Sequence, residues 1–478
     1  MTFSSMIFVL LFLTVQMVAL RFAATIKQRN VVLLVFSLIF YAFGGPQYLP
    51  LLCGMVLISY VGALAVERAE SKSGRKLALI LTCTLLLGIL GFFKYLTFLL
   101  ENLNLLTGWP NVIPAIALPI GISFYTFQLL SYVVDVYRWE TPAQKKYHLL
   151  LLYAGLFHQC IAGPIVRYSD IAYELLHRKM RSAEVSEGIL RFSIGLAKKA
   201  VLANTCASLA DEWLPIGDKL SEIPATGLLL GGVCYMLQIY LDFSAYSDMA
   251  IGMGLISGFH YKENFNYPYA AISITDFWRR WHISLSSFFR DYVYIPLGGS
   301  RVSRGRHIFN LFAVWALTGF WHGASWNFLL WGLYYFAFLM IEKFLLHWTG
   351  KEQPSLLSRL LRRVYVLPVL FFGWLLFRFD DLHQLWIVLK GLVCANGNAF
   401  SSPAVSLALS SHAYFLLFAV IACAPLYKKA MDRLSESRVK IAVLLYNGWL
   451  VICPILMLVL SMLALVGDSY NPFLYFRF

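Results

Sequence analysis

Two histidines stand out in the middle of a strongly apolar chain. His282 lies in the polar, basic stretch DFWRRWHISLSSFFRDYVYIPLGGSR (276–301), and His322 lies in the apolar run GFWHGASWNFLLWG (319–332). An ionisable side chain within a membrane-spanning segment is costly and rare, so both histidines are candidates for function. The structural alternative is a histidine that only binds a backbone carbonyl within the bilayer.

One chemistry open to such histidines is general-base catalysis, for example of the transfer of an acyl group from a thioester to a hydroxyl. The hydroxyl must lose a proton as it attacks, and a positioned histidine is the usual base, contributing about 10²- to 10⁴-fold. Gly323 permits a helix break directly after His322, and Trp321 and Trp326 would shield the ring from water. We therefore expect His322 to be the general base, with His282 orienting the acceptor or polarising the thioester carbonyl.

Other polar residues in apolar surroundings are weaker candidates, which could line a substrate tunnel. Each also has a structural interpretation, since the acidic residues could pair with Arg279, Arg280 or Arg290, and the arginines could meet lipid phosphates. Arg167 and Tyr168 could line the path of the donor. The main tunnel-lining candidates are Asp242, Tyr246, Asp248, Arg279, Arg290, His158 and Gln159.

The composition is that of a membrane protein with many spans. Of 478 residues, 59% are hydrophobic and only 13% are charged, whereas soluble domains carry about 25% charged residues. Continuous apolar runs recur that are long enough to cross a bilayer, which predicts an all-α protein with about eleven transmembrane helices plus re-entrant and interfacial helices. Clear examples of these runs are residues 3–20, 49–66, 77–100, 225–256 and 441–466.

The net charge of +14 comes from basic residues in short loops between the apolar runs. This distribution follows the positive-inside rule and does not indicate nucleic-acid binding. It predicts a multi-pass protein with both termini extracytosolic, which for a bacterial cytoplasmic (inner) membrane means the periplasm or the cell exterior. The loops assigned to the cytosol are 21–29, 72–76, 138–146, 260–307 and 427–440, and those assigned to the other side are 44–47, 107–111 and 211–223.

Several other chemistries lack their sequence signatures. The eight cysteines are scattered singly with no CxxC spacing, which predicts neither disulfides nor a metal site. No GxSxG, HExxH, P-loop or GxGxxG motif is found, which disfavours a serine esterase, a zinc protease and an NTP-driven pump. We expect direct acyl transfer rather than an acyl-enzyme, with no metal and no permanently bound cofactor.

Residues 275–292 are predicted to form an amphipathic helix at the cytosolic membrane surface. Thr275 or Asp276 can cap its start, and His282 lies at the boundary between its two faces. The apolar stripe, at spacings of three and four, contains Phe277, Trp281, Leu285, Phe288 and Tyr292.

The chain is expected to form one membrane domain in three sections: an N-terminal bundle at 1–145, a catalytic core at 146–350 and a C-terminal bundle at 351–478. Glycine and proline interrupt the middle repeatedly, as at Pro114 and at Gly163-Pro164. Broken helices at membrane depth are tolerated where they are buried in protein or line a cavity, which suggests a central cavity. Kinks adapted to packing are the alternative.

Several long motifs resemble the membrane-bound O-acyltransferase family. The resemblance runs along almost the whole chain, and it is greatest with the bacterial branch that includes the membrane subunit of alginate O-acetyltransferase. The matching segments are FWRRWHISLSSFFRDYVYIPLGG (277–299), TGFWHGASWNFLLWGLYY (318–335), LPIGISFYTFQLLSYVVDVYR (118–138), IAGPIVRY (161–168), YLDFSAYSDMAIG (240–252) and NPFLYFRF (471–478).

The resemblance implies that His322 corresponds to the invariant histidine of the family and His282 to its second characteristic polar position. It also implies a tunnel through the membrane domain, a cytosolic thioester donor (acetyl-CoA or an acyl carrier protein) and an extracytosolic acceptor. The expected function is O-acetylation of an exported polysaccharide, alginate-like or another surface glycan, with a separate extracytosolic acyltransferase or esterase-like partner. Two alternatives stay open: a transporter with a histidine proton relay, and a non-catalytic scaffold for a secreted acyltransferase.

Overall fold

The computed structural model describes residues 2–108, 116–160, 163–348, 355–467 and 470–472, and within these ranges every regular element is helical. The all-α prediction is therefore confirmed. Pro114, residues 161–162 and residues 473–478, which the sequence motifs include, lie outside the described residues. The α-helices are α1 (Thr14–Phe22), α2 (Ile26–Gly44), α3 (Leu49–Arg68), α4 (Lys72–Thr107), α5 (Ile122–Tyr137), α6 (Tyr147–Gly155), α7 (Phe157–Cys160), α8 (Tyr168–Ile171), α9 (Glu174–His177), α10 (Ser182–Ala197), α11 (Asn204–Trp213), α12 (Ala225–Ser257), α13 (Ile274–Arg280), α14 (Ile283–Phe289), α15 (Arg304–His322), α16 (Trp326–Met340), α17 (Leu356–Arg378), α18 (Leu382–Gly391), α19 (Pro403–Ser411), α20 (Ala413–Ala422), α21 (Leu426–Ser435) and α22 (Lys440–Gly467).

Short helical segments of other types connect several of these helices. π-Helical turns occupy Ile7–Leu13, Lys198–Ala203, Arg290–Tyr294 and Ile341–Leu345. The 3₁₀ turns are Pro46–Tyr48, Asp218–Glu222 and Pro268–Ala270.

Seven helices in the described part of the chain are long and apolar enough to cross a membrane, or eight if the bent pair α19 and α20 counts as one span. The chain is therefore a multi-pass protein, but the figure of about eleven crossings is not confirmed. Some predicted crossings correspond to shorter helices, because α5 has 16 residues and α6 only 9. The seven are α2, α3 with the 3₁₀ turn before it, α4, α12, α16 with the π-helical turn after it (Trp326–Leu345), α17 and α22.

The long helices differ sharply in how much of their surface is buried. In the most apolar stretch of α12, 83% of the residues are buried, against 17% in α4 and in α22. A helix that is hydrophobic all round and buried belongs to a core, whereas an exposed apolar helix of this length is suited to lipid. Helix α12 is therefore a core element, and α4 and α22 present most of their apolar side chains to the bilayer.

The chain divides into two compact units that interleave along the sequence. Unit 1 contains Met1–Phe192, Ser247–Glu263 and Ser287–Ile295. Unit 2 contains Ser193–Tyr246, Asn264–Ser286 and Pro296–Phe478. The three consecutive sections expected from the sequence stay a prediction.

Contacts between loops within unit 1 fit helices that alternate in direction. Arg75, in the first turn of α4, donates to the Tyr137 carbonyl at the end of α5 over 2.8 Å, and its guanidinium lies 3.9 Å from the centre of the Trp139 ring. The hydroxyl of Tyr48, at the other end of α3, donates to the carbonyl of Ala117 before α5. The basic loops after α3 and after α5 therefore lie on one side.

Unit 2 also ties together chain segments that lie far apart in sequence. Arg378, at the end of α17, pairs with Asp211 in α11 over 2.8 Å, and Tyr470 donates to the same carboxylate. Glu342 accepts the backbone amides of Ile274 and Thr275 at the start of α13. The carboxylate thereby satisfies amides that have no partner within the helix.

The predicted helix over 275–292 is broken in the structure. Helix α13 ends at Arg280 and α14 begins at Ile283. The cap of α13 is Ser273, whose Oγ accepts the Asp276 amide over 2.9 Å, so neither Thr275 nor Asp276 is the cap. The apolar stripe, which was expected to lie at the membrane surface, is buried within the protein at Phe277, Trp281, Leu285 and Phe288, and Tyr292 is half-buried.

Candidate active site

His322 is the last residue of α15, in unit 2, and an elbow follows it as predicted. Gly323 is extended, with φ −171° and ψ 157°. The glycine is needed for space, because a Cβ there would lie 2.2 Å from the ring of Phe328. His322 thus lies at a helix C-terminus, where the carbonyl groups favour a positive charge.

A close crossing of α15 and α16 positions His322. A Cβ on Gly332 would lie 2.3 Å from the Trp315 carbonyl oxygen, and a Cβ on Gly319 would lie 2.4 Å from the carbonyl oxygen of Phe328. Small residues at such a crossing let two backbones approach closely. The crossing brings α16 directly against the last turn of α15, where His322 lies.

Aromatic rings enclose His322, which is 3% exposed. The ring centres of Trp321 and Trp331 are each 4.9 Å from that of His322, and the centre of Phe377 is 5.3 Å away, all near edge-to-face. Trp321 shields the histidine as expected. Trp326 was also expected to do so, but it is 53% exposed at the start of α16, and Trp331, 5 positions along that helix, takes its place.

His282 lies in the break between α13 and α14, and its backbone has φ +45°. A residue with a Cβ in this left-handed region is strained by about 1–2 kcal/mol, and such strain is concentrated at functional sites. The buried ring has its centre 4.7 Å from that of Phe243 and 5.7 Å from that of Trp321. Trp321 therefore lies against both histidines. Burial lowers the pKa of His282 to about 3, so the ring is neutral at pH 7.

Asn264 and Ser284, which the sequence did not single out, surround Nδ1 of His282. Asn264 Oδ1 lies 3.3 Å from Nδ1 and also accepts the amide of Ser284 over 3.1 Å and its hydroxyl over 2.8 Å. The Ser284 hydroxyl oxygen lies 3.5 Å from Nδ1. Asn264 is 18 residues from His282 in sequence, and no periodicity links the two, so only the tertiary fold reveals their contact.

The other candidates in unit 2 are Asp242, Tyr246 and Arg279. Asp242 and Tyr246 are buried in α12, and Arg279 is exposed in α13. The Asp242 carboxylate pairs with Lys199 over 2.9 Å. The sequence suggested Arg279, Arg280 or Arg290 as its partner, and Lys199 was missed because it follows another lysine that reads as part of a basic loop.

The remaining candidates belong to unit 1. Asp248 pairs with Arg191 over 3.0 Å, which again differs from the arginines suggested by the sequence. His158 is buried with Nδ1 at 3.3 Å from the Tyr261 hydroxyl, and Gln159, also buried, donates to the Tyr153 carbonyl over 2.7 Å.

Arg290, also in unit 1, is exposed and pairs with Asp291 over 2.6 Å. Arg167 binds the same carboxylate. Burial opposes ionisation of Asp291, but the hydrogen bonds from Arg290 and Arg167 outweigh it and hold the pKa of the carboxyl below its ordinary value.

Comparison with known proteins identifies the family. Residues 145–373 match the model of the membrane-bound O-acyltransferase family. The probable alginate O-acetylase of Pseudomonas putida is 36% identical over 501 residues, which cover 100% of both chains. This chain belongs to the membrane-bound O-acyltransferase family. The similarity extends to the probable alginate O-acetylase of Pseudomonas aeruginosa (40% identity over 81% of this chain and 74% of that one) and to the peptidoglycan O-acetyltransferase of Helicobacter pylori (37% identity over 76% of this chain and 73% of that one).

The resemblance seen in the motifs is therefore confirmed, and the protein is a multi-pass membrane acyltransferase. Within this O-acyltransferase, unit 2 holds two buried histidines on a shared tryptophan. Such an arrangement can accept a proton from a hydroxyl in surroundings that exclude water. No group of three or more His, Cys, Asp or Glu residues that could hold a metal ion is found in the described ranges.

Proposed function

We propose that this acyltransferase takes acetyl groups from a cytosolic thioester and delivers them across the membrane for O-acetylation of an exported polysaccharide, with His322 as the general base. The observation that carries the proposal is the buried His322 ring, which lies at a helix C-terminus, is enclosed by aromatic side chains, and shares Trp321 with His282. The relatives support a glycan acceptor, because their names specify alginate and peptidoglycan.

The reaction needs one proton to move twice. Nε2 or Nδ1 of His322 takes the proton from the acceptor hydroxyl as its oxygen attacks the thioester carbonyl. The tetrahedral intermediate then collapses, the carbon–sulfur bond breaks, and the imidazolium returns the proton to the departing thiolate. The products are an acetyl ester and a free thiol, and no acyl-enzyme is formed.

The aromatic enclosure contributes by keeping water away from the acyl group. Trp321, Trp331 and Phe377 cover the ring of His322. Excluding water strengthens electrostatic interactions within a site and suppresses hydrolysis of the donor. His282 is proposed to orient the acceptor or to polarise the thioester carbonyl.

The path of the substrates belongs to the same proposal. A tunnel would lead from a cytosolic donor, acetyl-CoA or an acyl carrier protein, to an acceptor on the opposite side of a bacterial inner membrane. An extracytosolic acyltransferase or esterase-like partner would pass the acetyl group to the polymer. The residues proposed to line the tunnel are Trp321, Trp326, Asp242, Tyr246, Asp248, Arg279, Arg290, His158 and Gln159.

Substitution of the base tests this function directly. His322→Ala should abolish O-acetylation, because a general base contributes about 10²- to 10⁴-fold, while the amount of protein in the membrane stays unchanged. The measurement is mass spectrometry of the surface glycans, together with release of free thiol from acetyl-CoA by purified protein. His383→Ala is the matched control, since His383 is exposed. Full acetylation in the His322→Ala strain would contradict the proposal.

A further inference from the structure

The amide of Asn264 has a fixed orientation next to His282. Its Oδ1 lies 3.1 Å from the backbone nitrogen of Ser284, which is a donor only. An amide turned the other way would set two donors against each other. The same oxygen accepts the Ser284 hydroxyl over 2.8 Å. Oδ1, rather than the amide nitrogen, therefore faces this group of donors.

This orientation determines which nitrogen of His282 carries the proton. Nδ1 lies 3.3 Å from Asn264 Oδ1, an acceptor, so Nδ1 must be the donor. The Ser284 hydroxyl lies 3.5 Å from Nδ1, and because it gives its own hydrogen to Asn264, its oxygen also faces Nδ1 as an acceptor. In a neutral imidazole one nitrogen donates and the other accepts. With Nδ1 protonated, the lone pair is on Nε2.

We infer that Asn264, assisted by Ser284, is a positioning residue that holds His282 as the Nδ1–H tautomer and makes buried Nε2 the proton acceptor of that ring. The inference rests on the proposed function in so far as it gives His282 a part in the transfer. It also decides between the two roles considered for His282, because a ring that presents a lone pair can bind the acceptor hydroxyl but cannot donate to the thioester carbonyl.

The backbone supports the same arrangement. The Asn264 carbonyl accepts the amide of Ile283 over 2.9 Å, and the amide of Asn266 donates to the carbonyl of Arg280 over 2.9 Å. The segment 264–266 thus binds both sides of the break that contains His282. These hydrogen bonds on either side of His282 hold its strained backbone in place. They thereby keep the imidazole ring in one orientation.

Two aromatic rings also contact the His282 ring. Phe243 approaches from α12 and Trp321 from α15. Asp242, the residue before Phe243, is paired with Lys199. Asn264 and Ser284, which contact Nδ1 of the ring, are both neutral, and burial keeps the pKa of His282 below its usual range.

The direct test is the tautomer itself. Purified full-length protein labelled with ¹⁵N-histidine is examined by NMR in lipid nanodiscs, and the His282 signals among the 10 histidines are assigned by their loss in His282→Gln. The expected result is a neutral His282 with the proton on Nδ1. A proton on Nε2 would overturn the inference, whatever the activity of any variant.

Three variants test the effect on the reaction. Asn264→Leu should lower kcat by about 10²-fold, within the range of general-base effects, with the KM for acetyl-CoA within about twofold of wild type. Asn264→Asp keeps an acceptor oxygen next to Nδ1 and should retain activity. Its carboxylate raises the pKa of His282, so as the pH is lowered, activity should be lost at a pH about one unit or more above that of the wild type. Asn266→Leu is the matched control, because Asn266 is exposed and makes its contact through the backbone.

The outcomes separate this inference from the proposed function. A positioning role would be contradicted if Asn264→Leu kept the wild-type kcat. It would also be contradicted if Asn264→Leu were inactive while the pH profile of Asn264→Asp matched that of the wild type. Full activity of His322→Ala together with an Nδ1–H His282 would refute only the assignment of His322 as the base.

Discussion

At the scale of single residues, the pairing of Asp242 with Lys199 has clear energetic consequences. Both side chains are almost fully buried, with exposures of 2% and 1%. Two charges removed from water repay their desolvation only if they stay together, so a buried pair is far more sensitive to losing one partner than to losing both. Lys199 also donates to the carbonyl of Pro472. The ion pair of Asp242 with Lys199 thus supports a structural role, next to the proposed role in lining the tunnel.

Removing one charge of the pair should destabilise the protein more than removing both. Asp242→Asn leaves the Lys199 ammonium buried without its counter-charge and should lower the free energy of unfolding by about 3–5 kcal/mol. The double variant Lys199→Met, Asp242→Leu should recover most of that loss. Thermal unfolding in detergent measures both. If Asp242→Asn keeps its thermal stability yet loses acetylation, the carboxylate acts on substrate and the structural interpretation is wrong.

At the scale of elements, the sequence predicted one helix end at the site and missed the other. The elbow after His322 could be predicted because Gly323 is a recognisable helix terminator. The break at His282 could not, because the apolar spacing continues through it and the break contains no glycine or proline. It depends on Asn264, whose side chain and carbonyl take the first amides of α14.

The same distinction applies to the contacts of His322. Trp321 is adjacent in sequence and was predicted, whereas Trp331 and Phe377 are distant and reach the ring only through packing of α16 and α17 on α15. The predicted ion-pair partner of Asp242 was wrong for the same reason, because ion pairs between helices depend on how the helices pack. The sequence motifs therefore located the two histidines, whereas the side chains that contact them from distant parts of the chain could be identified only from the fold.

The crossing of α15 and α16 should tolerate no added methyl group. Gly332→Ala places a Cβ against the Trp315 carbonyl, which is backbone and cannot turn aside, so we expect a loss of about 1–3 kcal/mol in stability and reduced acetylation as His322 shifts. Gly305→Ala in α15 is the matched control, because no atom outside the local backbone lies within 4 Å of the added carbon. Alanine there should be neutral or stabilising by up to about 1 kcal/mol. Equal midpoints of thermal unfolding for Gly332→Ala and Gly305→Ala would contradict the close approach of α15 and α16 at Gly332.

At the scale of the whole molecule, the distribution of charge predicts how the chain crosses the membrane. Within unit 1, Arg75 binds the end of α5, as loops on the same side should. Within unit 2, Asp211, in a loop that the sequence assigns to the opposite side, accepts a hydrogen bond from Tyr470, near the C-terminus assigned to that same side. The order of the loops thus agrees with alternating crossings in each unit, and the positive-inside rule supplies the direction.

Labelling of single cysteines tests that direction. A membrane-impermeant maleimide applied to intact cells should label Gln47→Cys and Glu222→Cys, which lie in loops assigned to the extracytosolic side. Ser73→Cys and Ser435→Cys should react only after permeabilisation, because they lie in basic loops. All four positions are exposed. The parent protein, with its own eight cysteines, sets the background, and the reverse pattern would invert the proposed topology.

The hydrogen bond from Lys199 to the Pro472 carbonyl joins residues that are 273 positions apart. During synthesis, Lys199 is made long before Pro472. In that interval Asp242 is the counter-charge available to the ammonium once α12 has followed it. Because Lys199 gains its hydrogen bond to Pro472 only after that late segment has been made, we expect a chain that lacks residues from 470 onward to leave this buried cation less well satisfied.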